Sequence, residues 1–597
     1  MTSQKIPGWV WLLAGLVLAG QAGVLGLRFN GVLQGPAKNL APQALLGGAM
    51  VLAALVAWLL RFHSNKFPEV PARAGIIFLA LFSLLLVVVY FRSMRGLLTM
   101  PYDLASWSEP MLVVDIIKLR TGAPLYLPPG DSNSNTYTFL APAVTYALAR
   151  LAGHPASIPA YRLIQQLFLA LAAWFAALAT LGLLRLANAE EALRRRHLWF
   201  PFFFFTAFLF ATNDETGIFN IYLHNDPLAL LVSTLAFWVL VKHVVTRSNR
   251  WFWLMAAMPA VGFLAKQYLA LWAVVYVVCL WLDGEYPLRT VIKVAGACFG
   301  GVALAILACI AVWGQSFRYW VFQVMGGHVV YARFIGDRFG EAGWYIALGL
   351  AGGLVLVRGE NFGRLLGIFA AALLLLLGGL YTSGITYHPS HLGPFTMVAA
   401  CFFLAALAKL WPSGDTPSSG SRGQQWFQVV LGCAAVVAVF AALRFPEGRP
   451  NPVSPDLARY AHAIEQEFQG LPPGRVLLDS GDWIYLRENV VMTDRQAILV
   501  THRDRRHLGG IIERARAKYY LRILIHILND GRYSYDIGPG RGIERELQQG
   551  YREVRRIPHV QDMKSWIYGD LLMSDVAVLE PIPPGVASPV SEPAVHP

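Results

Sequence analysis

This chain is short of charge. Of its 597 residues only 14% are charged, while 56% are hydrophobic, and the mean hydropathy is +0.48. A soluble chain of this size carries roughly a quarter charged residues, so a soluble globular protein is excluded. Cysteine is also sparse. Cys279, Cys298, Cys309, Cys401 and Cys433 all fall in apolar runs, without the spacing of a metal site or a disulfide framework, and read as small buried hydrophobes. The part from about Pro446 onward shows no glycine-rich phosphate loop, and Gly538-Pro539-Gly540 in it is turn chemistry. No repeat of fixed period recurs, which weighs against a transporter built from repeated halves.

What is there is apolar sequence in lengths that match a hydrocarbon core about 30 Å thick. Thirteen spans are expected, near 8–28, 42–61, 75–97, 160–186, 198–212, 226–246, 251–265, 268–282, 289–314, 340–357, 363–381, 391–410 and 426–444. The first follows Lys5 and, from Trp9 to Leu27, is longer than a signal-peptide apolar region of about 7–15 residues, so it is expected to be retained. The formal net charge of +13 follows the positive-inside rule and does not point to nucleic acid. The loops holding Arg61, Lys66 and Arg73, then Arg194 to Arg196, then Arg247 and Arg250, then Arg358 and Arg364, then Lys409 and Arg422 all thread to one face. Arg503 to Arg506 sit in the tail, where they suit an anionic lipid surface.

Two stretches resist the count. Residues 138–153 are apolar, but a span there breaks the charge parity, so a helix lying at the interface is expected. Residues 251–282 carry Lys266-Gln267 in their middle, and an intramembrane lysine is costly. Two short spans with Lys266 at their outer tip remove that cost.

The division expected is N-terminal transmembrane helices over 1–99, a first large outer loop over 100–157, a transmembrane core over 158–445, a soluble outer α/β domain over 446–580 and a disordered proline-rich tail over 581–597. In the soluble part Asp456 to Phe468 reads as an amphipathic helix, Arg475 to Asp479 as a buried strand and Ile484 to Leu486 as a strand or turn. Ile511 to Tyr520 reads as a second helix and Leu521 to Leu528 as a further strand.

Three segments on the outer face hold polar residues that membrane burial does not ask for. The first runs from Tyr102 and Asp103 through Glu109, Asp115, Arg120 and Asp131 to Tyr137. The second is Asn213-Asp214-Glu215 with His224-Asn225-Asp226-Pro227. The third gathers Lys266, Gln267, Arg318, His328, Tyr331, Arg333, Arg338, Tyr387, His388 and His391. A carboxylate at a membrane surface takes the proton from a hydroxyl as its oxygen attacks an anomeric carbon. Nearby Lys and Arg hold a phosphate leaving group and neutralise its developing charge. Polyprenyl phosphate leaves readily, so one base and a cationic clamp are the minimum equipment.

Each of these residues also has a plainer use. Asp103 suits the cap of a helix starting near Ala105, and Asp226 before Pro227 is an equally good helix start. Glu109 and Asp115 suit a solvated helix face, and His388 and His391 suit backbone partners. Asp103, Asp214, Glu215 and Asp226 match no defensible metal-ligand spacing, so neither a metal nor another cofactor is expected.

The chain resembles the GT-C superfamily of membrane glycosyltransferases, akin to protein mannosyltransferases and aminoarabinose transferases. The resemblance rests on an acidic residue just after an early span and on the Gly122-Ala123-Pro124-Leu125-Tyr126 to Tyr137-Thr138-Phe139-Leu140-Ala141-Pro142 course of the loop. His224-Asn225-Asp226-Pro227 entering a span, the Lys266-Gln267-Tyr268 tip and the Tyr387-His388-Pro389 loop add to it. It covers the membrane region and, in layout, the small outer domain.

The resemblance implies a polytopic α-helical fold. It also implies inverting hexosyl or pentosyl transfer from a polyprenyl-phosphate-linked sugar to a glycan, lipid or protein acceptor, on the extracytoplasmic face of the inner or plasma membrane. By position it makes Asp103 the catalytic base. Tyr102, Glu109, Asp226, Lys266, Gln267, His328, Arg333, Arg338, Tyr387, His388 and His391 are then expected around the substrates. The chain departs from the commonest pattern in having Leu104 where an Asp-Glu pair would put its second carboxylate, and two extra spans before the loop.

Two rivals remain. A transporter or lipid flippase needs polar residues near the midplane, whereas these gather at outer helix ends. A non-catalytic assembly protein would use the loop only as structure. The parity argument makes a topological prediction: with Arg194 to Arg196 cytoplasmic, a reporter fused after Arg444 is active only outside the cytoplasm. Cytoplasmic activity of that fusion would overturn the span count.

Overall fold

The computed structural model describes residues 72–440 apart from short stretches, chiefly 104–108, 130–133, 214–219, 327–329, 358–360, 387–388 and 412–427, and much of 455–583. The expected spans at 8–28 and 42–61, most of that at 426–444, the strand or turn at 484–486, the basic run at 503–506 and the proline-rich tail lie outside the described residues.

Helices form where the apolar runs stand. In chain order they are α1 (Ala72–Thr99), α2 (Glu109–Thr121), α3 (Leu140–Leu151), α4 (Ile158–Leu186), α5 (Arg196–Ala211), α6 (Asp226–Thr246), α7 (Asn249–Ala265), α8 (Trp272–Asp283), α9 (Leu288–Arg318), α10 (Ala332–Leu356), α11 (Phe362–Thr386) and α12 (Gly393–Leu410). Among the described residues six helices are long and apolar enough to cross a membrane, or seven if the two limbs of α10, bent by 55°, count as one span. The expectation of about thirteen spans therefore exceeds what length and composition establish here. The runs read as 198–212, 251–265 and 268–282 fold as helices of 16, 17 and 12 residues, short against the ~20 residues a perpendicular span needs.

The breaks fall where the polar signals stood. Helix α7 stops at Ala265, Lys266 adopts an extended conformation (φ −161°, ψ 128°), and a 3-10 turn, Gln267–Leu271, leads into α8. The apolar stretch 251–282 is thus two helices joined at Lys266. Helix α9 bends at Gly314 (φ 63°), a backbone region that glycine enters without the Cβ clash other residues meet. The stretch 138–153 folds as the 12-residue helix α3, with Ala141, Pro142, Thr145 and Ala149 buried and Leu151 exposed.

Helices α6 and α7 are joined through Arg247, in the left-handed region (φ 53°), and Ser248, whose hydroxyl accepts from Arg250 N–H. This tight turn makes them a hairpin, so Asp226 and Lys266 meet at one end while Arg247 lies at the other. At that other end Arg247 donates to Asp283 (3.2 Å) and Glu285 (2.8 Å), and Arg364 donates to the same Glu285 (2.6 and 3.1 Å). The Arg247 and Arg364 loops therefore share one end of the bundle, as the charge parity expects. Glu285, exposed in a loop, is drawn below the usual carboxylate range, first by its hydrogen bond from Arg364.

The interior is closed by small residues. Helix α12 is central: nearly all of its span is buried, against 17% for the peripheral stretch from Leu288 to Val324. A Cβ on Gly352 of α10 would lie 2.6–2.8 Å from backbone atoms of Phe402 and Phe403 on α12, and one on Gly367 of α11 would lie 2.7 Å from Cys279 O on α8. Glycine at such points lets helix backbones approach and gain dispersion contact that lipid tails cannot drive.

Beyond the membrane helices, α13 (Pro455–Gln466) precedes a five-stranded sheet. Its strands are β1 (Val476–Leu478), β2 (Val491–Met492), β3 (Arg522–His526), β4 (Tyr551–Ile557) and β5 (Val576–Pro581), in the order β2-β1-β3-β5-β4. The first three are parallel, and β5 is antiparallel to both β3 and β4. Tyr460, Ala461 and Ile464 of α13 belong to the same apolar cluster as the membrane helices, so the small domain is seated on the bundle.

Gly352→Ala is expected to lower the stability of the purified protein by about 1–3 kcal/mol, the usual cost of overpacking, because only backbone stands in the way. Gly296→Ala, where no atom lies within 4 Å of the added methyl, is the matched control and should leave the melting temperature in detergent unchanged.

Candidate active site

One side chain braces the short segment that leads from α1 into Asp103. Helix α1 ends at Thr99, and carbonyls in the last turn of a helix have no partner inside it. Arg162, in the second turn of α4 and 1% exposed, supplies that partner. Its Nη1 donates to Leu97 O (2.9 Å) and Met100 O, its Nη2 to Tyr102 O (2.6 Å) and Glu109 Oε2 (2.7 Å), and its Nε to Glu109 Oε1 (3.0 Å). A guanidinium has five N–H donors in a fixed plane, and all five are used. Removing one partner of such a buried pair typically costs roughly 3–5 kcal/mol.

Glu109 begins α2, where a carboxylate is favoured by the helix dipole. Besides Arg162 it accepts from Leu223 N–H (3.2 Å), one residue before His224. It is fully buried, unlike the solvated helix-face residue that one reading of the sequence offers. Asp103 is also fully buried. Tyr102 is partly buried; burial, with help from Glu465 of α13, pushes its phenol above its ordinary value.

A second cluster stands at the shared end of α6 and α7. Lys266 Nζ donates to Asp226 Oδ1, and His224 Nδ1 lies 2.7 Å from Asp226 Oδ2. Asp226 makes no helix cap: Asn225 holds the cap position without a side-chain bond, and the carboxylate turns to Lys266 instead. Burial pushes the His224 imidazole below its ordinary value, opposed by Asp226. Lys266 Nζ sits 5.7 Å from the Tyr137 ring and 5.6 Å from the Tyr268 ring, a cation–π pairing worth more in a desolvated site. Tyr137 also meets His224 edge-on (5.7 Å), and Tyr268 meets His391 edge-on (5.3 Å). Gln267 Nε2 donates to Thr136 O (3.0 Å), which ties the loop between α2 and α3 to the turn at Lys266.

Beside this cluster opens a cleft lined by Asp115, Lys118, Asn135, Tyr137, His224 and Asn225, among others. Neither Asp103 nor Lys266 lines it; Lys266 is turned to Asp226. The structure thus brings Asp226, Lys266, Gln267 and His391 together and ties Tyr102 and Glu109 to them through Arg162 and Leu223. Arg333 does not join them: its side chain is 88% exposed, 3.9 Å from Asp337. Arg338 is buried on α10. His328, Tyr387 and His388 lie outside the described residues.

Arg162 escaped the reading of the sequence, although the signal was present. An arginine followed by Gln165 and Gln166 at the start of an apolar run is an intramembrane polar group, which marks a functional position by default. His224 and Tyr137 stood inside quoted motifs, but their convergence on one lysine has no local sequence signal.

No family model and no curated protein sequence matches the chain. Solved structures do. ArnT from Cupriavidus metallidurans bound to undecaprenyl phosphate aligns at 12% identity over 83% of this chain and 97% of its own, with a TM-score of 0.51. The apo state of the same enzyme gives 12%, 84%, 97% and 0.51. An oligosaccharyltransferase from Archaeoglobus fulgidus in the apo form aligns at 10% identity over 83% and 81%, with a TM-score of 0.48. At such identities the likeness is one of fold: this chain is a multi-pass membrane protein by its apolar helices, and it has the fold of ArnT from Cupriavidus metallidurans.

Proposed function

We propose that this protein transfers a sugar from a polyprenyl-phosphate donor to an acceptor hydroxyl on the extracytoplasmic face of the membrane. The observation that carries the reading is the convergence of two acidic segments and one buried lysine. The Asp103 segment is tied through Arg162 to the Glu109 carboxylate, which also accepts from Leu223 N–H just before His224, and Lys266 lies against Asp226. Undecaprenyl phosphate bound to the ArnT structure of the same fold supports the choice of donor.

In this reading the acceptor oxygen attacks the anomeric carbon as the bond to the phosphate oxygen breaks. The hydroxyl proton passes to Asp103, the electron pair stays on the departing polyprenyl phosphate, and the configuration inverts. Lys266 then holds the phosphate, in competition with Asp226, since charge-assisted contacts strengthen as negative charge gathers on the leaving oxygen. The edge of Tyr137 and the cleft with Asn135, Asn225 and Lys118 offer hydroxyl-matching donors and acceptors beside that point. The clustering of these groups at helix ends favours surface chemistry over passage through the midplane.

The test is transfer by the purified protein from a panel of undecaprenyl- and dolichyl-phosphate sugars. Asp103→Asn keeps size but cannot take the proton, and is expected to lower turnover about 10²–10⁴-fold. Near-wild-type turnover would move the base to Asp226. Lys266→Ala is expected to weaken both undecaprenyl-phosphate binding and turnover. A wild type that turns over no donor would favour the transporter reading.

A further inference from the structure

The geometry points to Arg162 as a positioning residue that fixes the Asp103 segment and the His224–Asp226 segment relative to each other, through Glu109. Three observations carry this. All five guanidinium donors are used, three of them on carbonyls of the segment that leads into Asp103: Leu97, Met100 and Tyr102. The other two grip both oxygens of Glu109, which leaves that carboxylate no freedom to rotate. Glu109 Oε1 is shared with Leu223 N–H, whose chain neighbour His224 touches Asp226. One planar cation thus joins the end of α1, the start of α2 and the approach to α6.

No other residue type reproduces this. Lysine brings the charge but three donors on a flexible stem, and cannot serve both Glu109 oxygens and three carbonyls in one plane. That Arg162 serves the transfer reaction rests on the proposed activity; that it fixes the two segments does not. Misplacement by about 1 Å of a group far from the reacting atoms costs about 10²-fold in rate, so turnover is expected to report the clamp while donor affinity does not.

The experiment uses the full chain in nanodiscs with a single reporter cysteine, either Asp103→Cys or Asn225→Cys, labelled by a small maleimide. Both positions are buried, and so labelled slowly, when the clamp is intact; the native cysteines are buried or half-buried and give the background. Arg162→Lys and Glu109→Gln should each raise the labelling rate at both positions by about tenfold or more, as local opening becomes easier. Gly352→Ala, which loosens the fold elsewhere, should leave both rates unchanged; a general loss of stability would move all three variants alike and overturn the proposal.

Faster labelling at 103 alone, or at neither position, would also overturn it, because Glu109 would not then link the segments. Should Arg162→Lys not fold, Glu109→Gln keeps the shape of the site and decides the outcome. With any donor the wild type accepts, kcat of Arg162→Lys is expected to fall about 10–100-fold with KM for the donor little changed. An equal fall in donor affinity would make Arg162 a binding residue and sink its positioning role. A wild type without turnover would remove the transferase reading, while the labelling rates would still decide the clamp.

Discussion

A buried guanidinium with no spare donor is the constraint around which one end of the helix bundle is arranged. Taking a charge out of water costs several kcal/mol even after relaxation, and Arg162 recovers that cost only if every donor finds an acceptor. The consequence is geometric. The end of α1, the start of α2 and the segment before α6 have to meet at fixed distances, because moving any one strands a charged N–H in the interior. Apolar packing between helices tolerates sliding by a fraction of a turn; a five-donor plane does not. The site's precision comes from this polar element, while the glycine contacts between α10, α11, α12 and α8 bring the helices close enough to exclude lipid.

Another buried cation, Lys266, obeys the same rule in a different way. Lys266 interrupts an apolar stretch, and the chain answers by ending α7, extending one residue and turning back through a 3-10 segment. Asp226 supplies its counter-charge and two tyrosine faces supply the rest. Arginine is held by a plane of donors and lysine by a point contact and rings, which matches their chemistry. A point contact is also the easier one to exchange for a phosphate oxygen, since an ammonium on a flexible stem can swing between partners.

The sequence made much of this legible, and its failures have physical causes. The apolar runs, the break at Lys266, the helix at Leu140–Leu151 and the strands at 475–479 and 521–528 were all readable, because each rests on a local pattern of apolar period or charge, whereas the span expected to end at Gly314 bends there and runs on to Arg318. Lys266 declared itself by its cost. The span count was less secure, since helices of 12 to 17 residues cross or fail to cross according to tilt and neighbours, which no window of residues contains. Arg162 was hidden for the opposite reason: it lies so near the start of an apolar run that it reads as a flanking residue. That its partners are carbonyls 60 to 65 residues away and a carboxylate 53 residues away is a fact of tertiary structure alone.

Each of the two cations that organise this cluster is matched by its own carboxylate before any ligand arrives. Arg162 is matched by Glu109 and Lys266 by Asp226, so neither pair presents a net charge to its surroundings. An anionic ligand reaching Lys266 must displace Asp226, and its binding free energy is the difference between two ion pairs in the same low-dielectric pocket. Such a difference is small when the ligand is neutral or distant and grows as negative charge concentrates on the contacting oxygen. Under the proposed transfer, a site built this way would bind the ground state loosely and the departing phosphate tightly, the differential that accelerates a reaction. The Arg162 pair cannot make that exchange, because all its donors are committed to the backbone and to Glu109. Under the proposed activity one cation would therefore serve position and the other would answer charge.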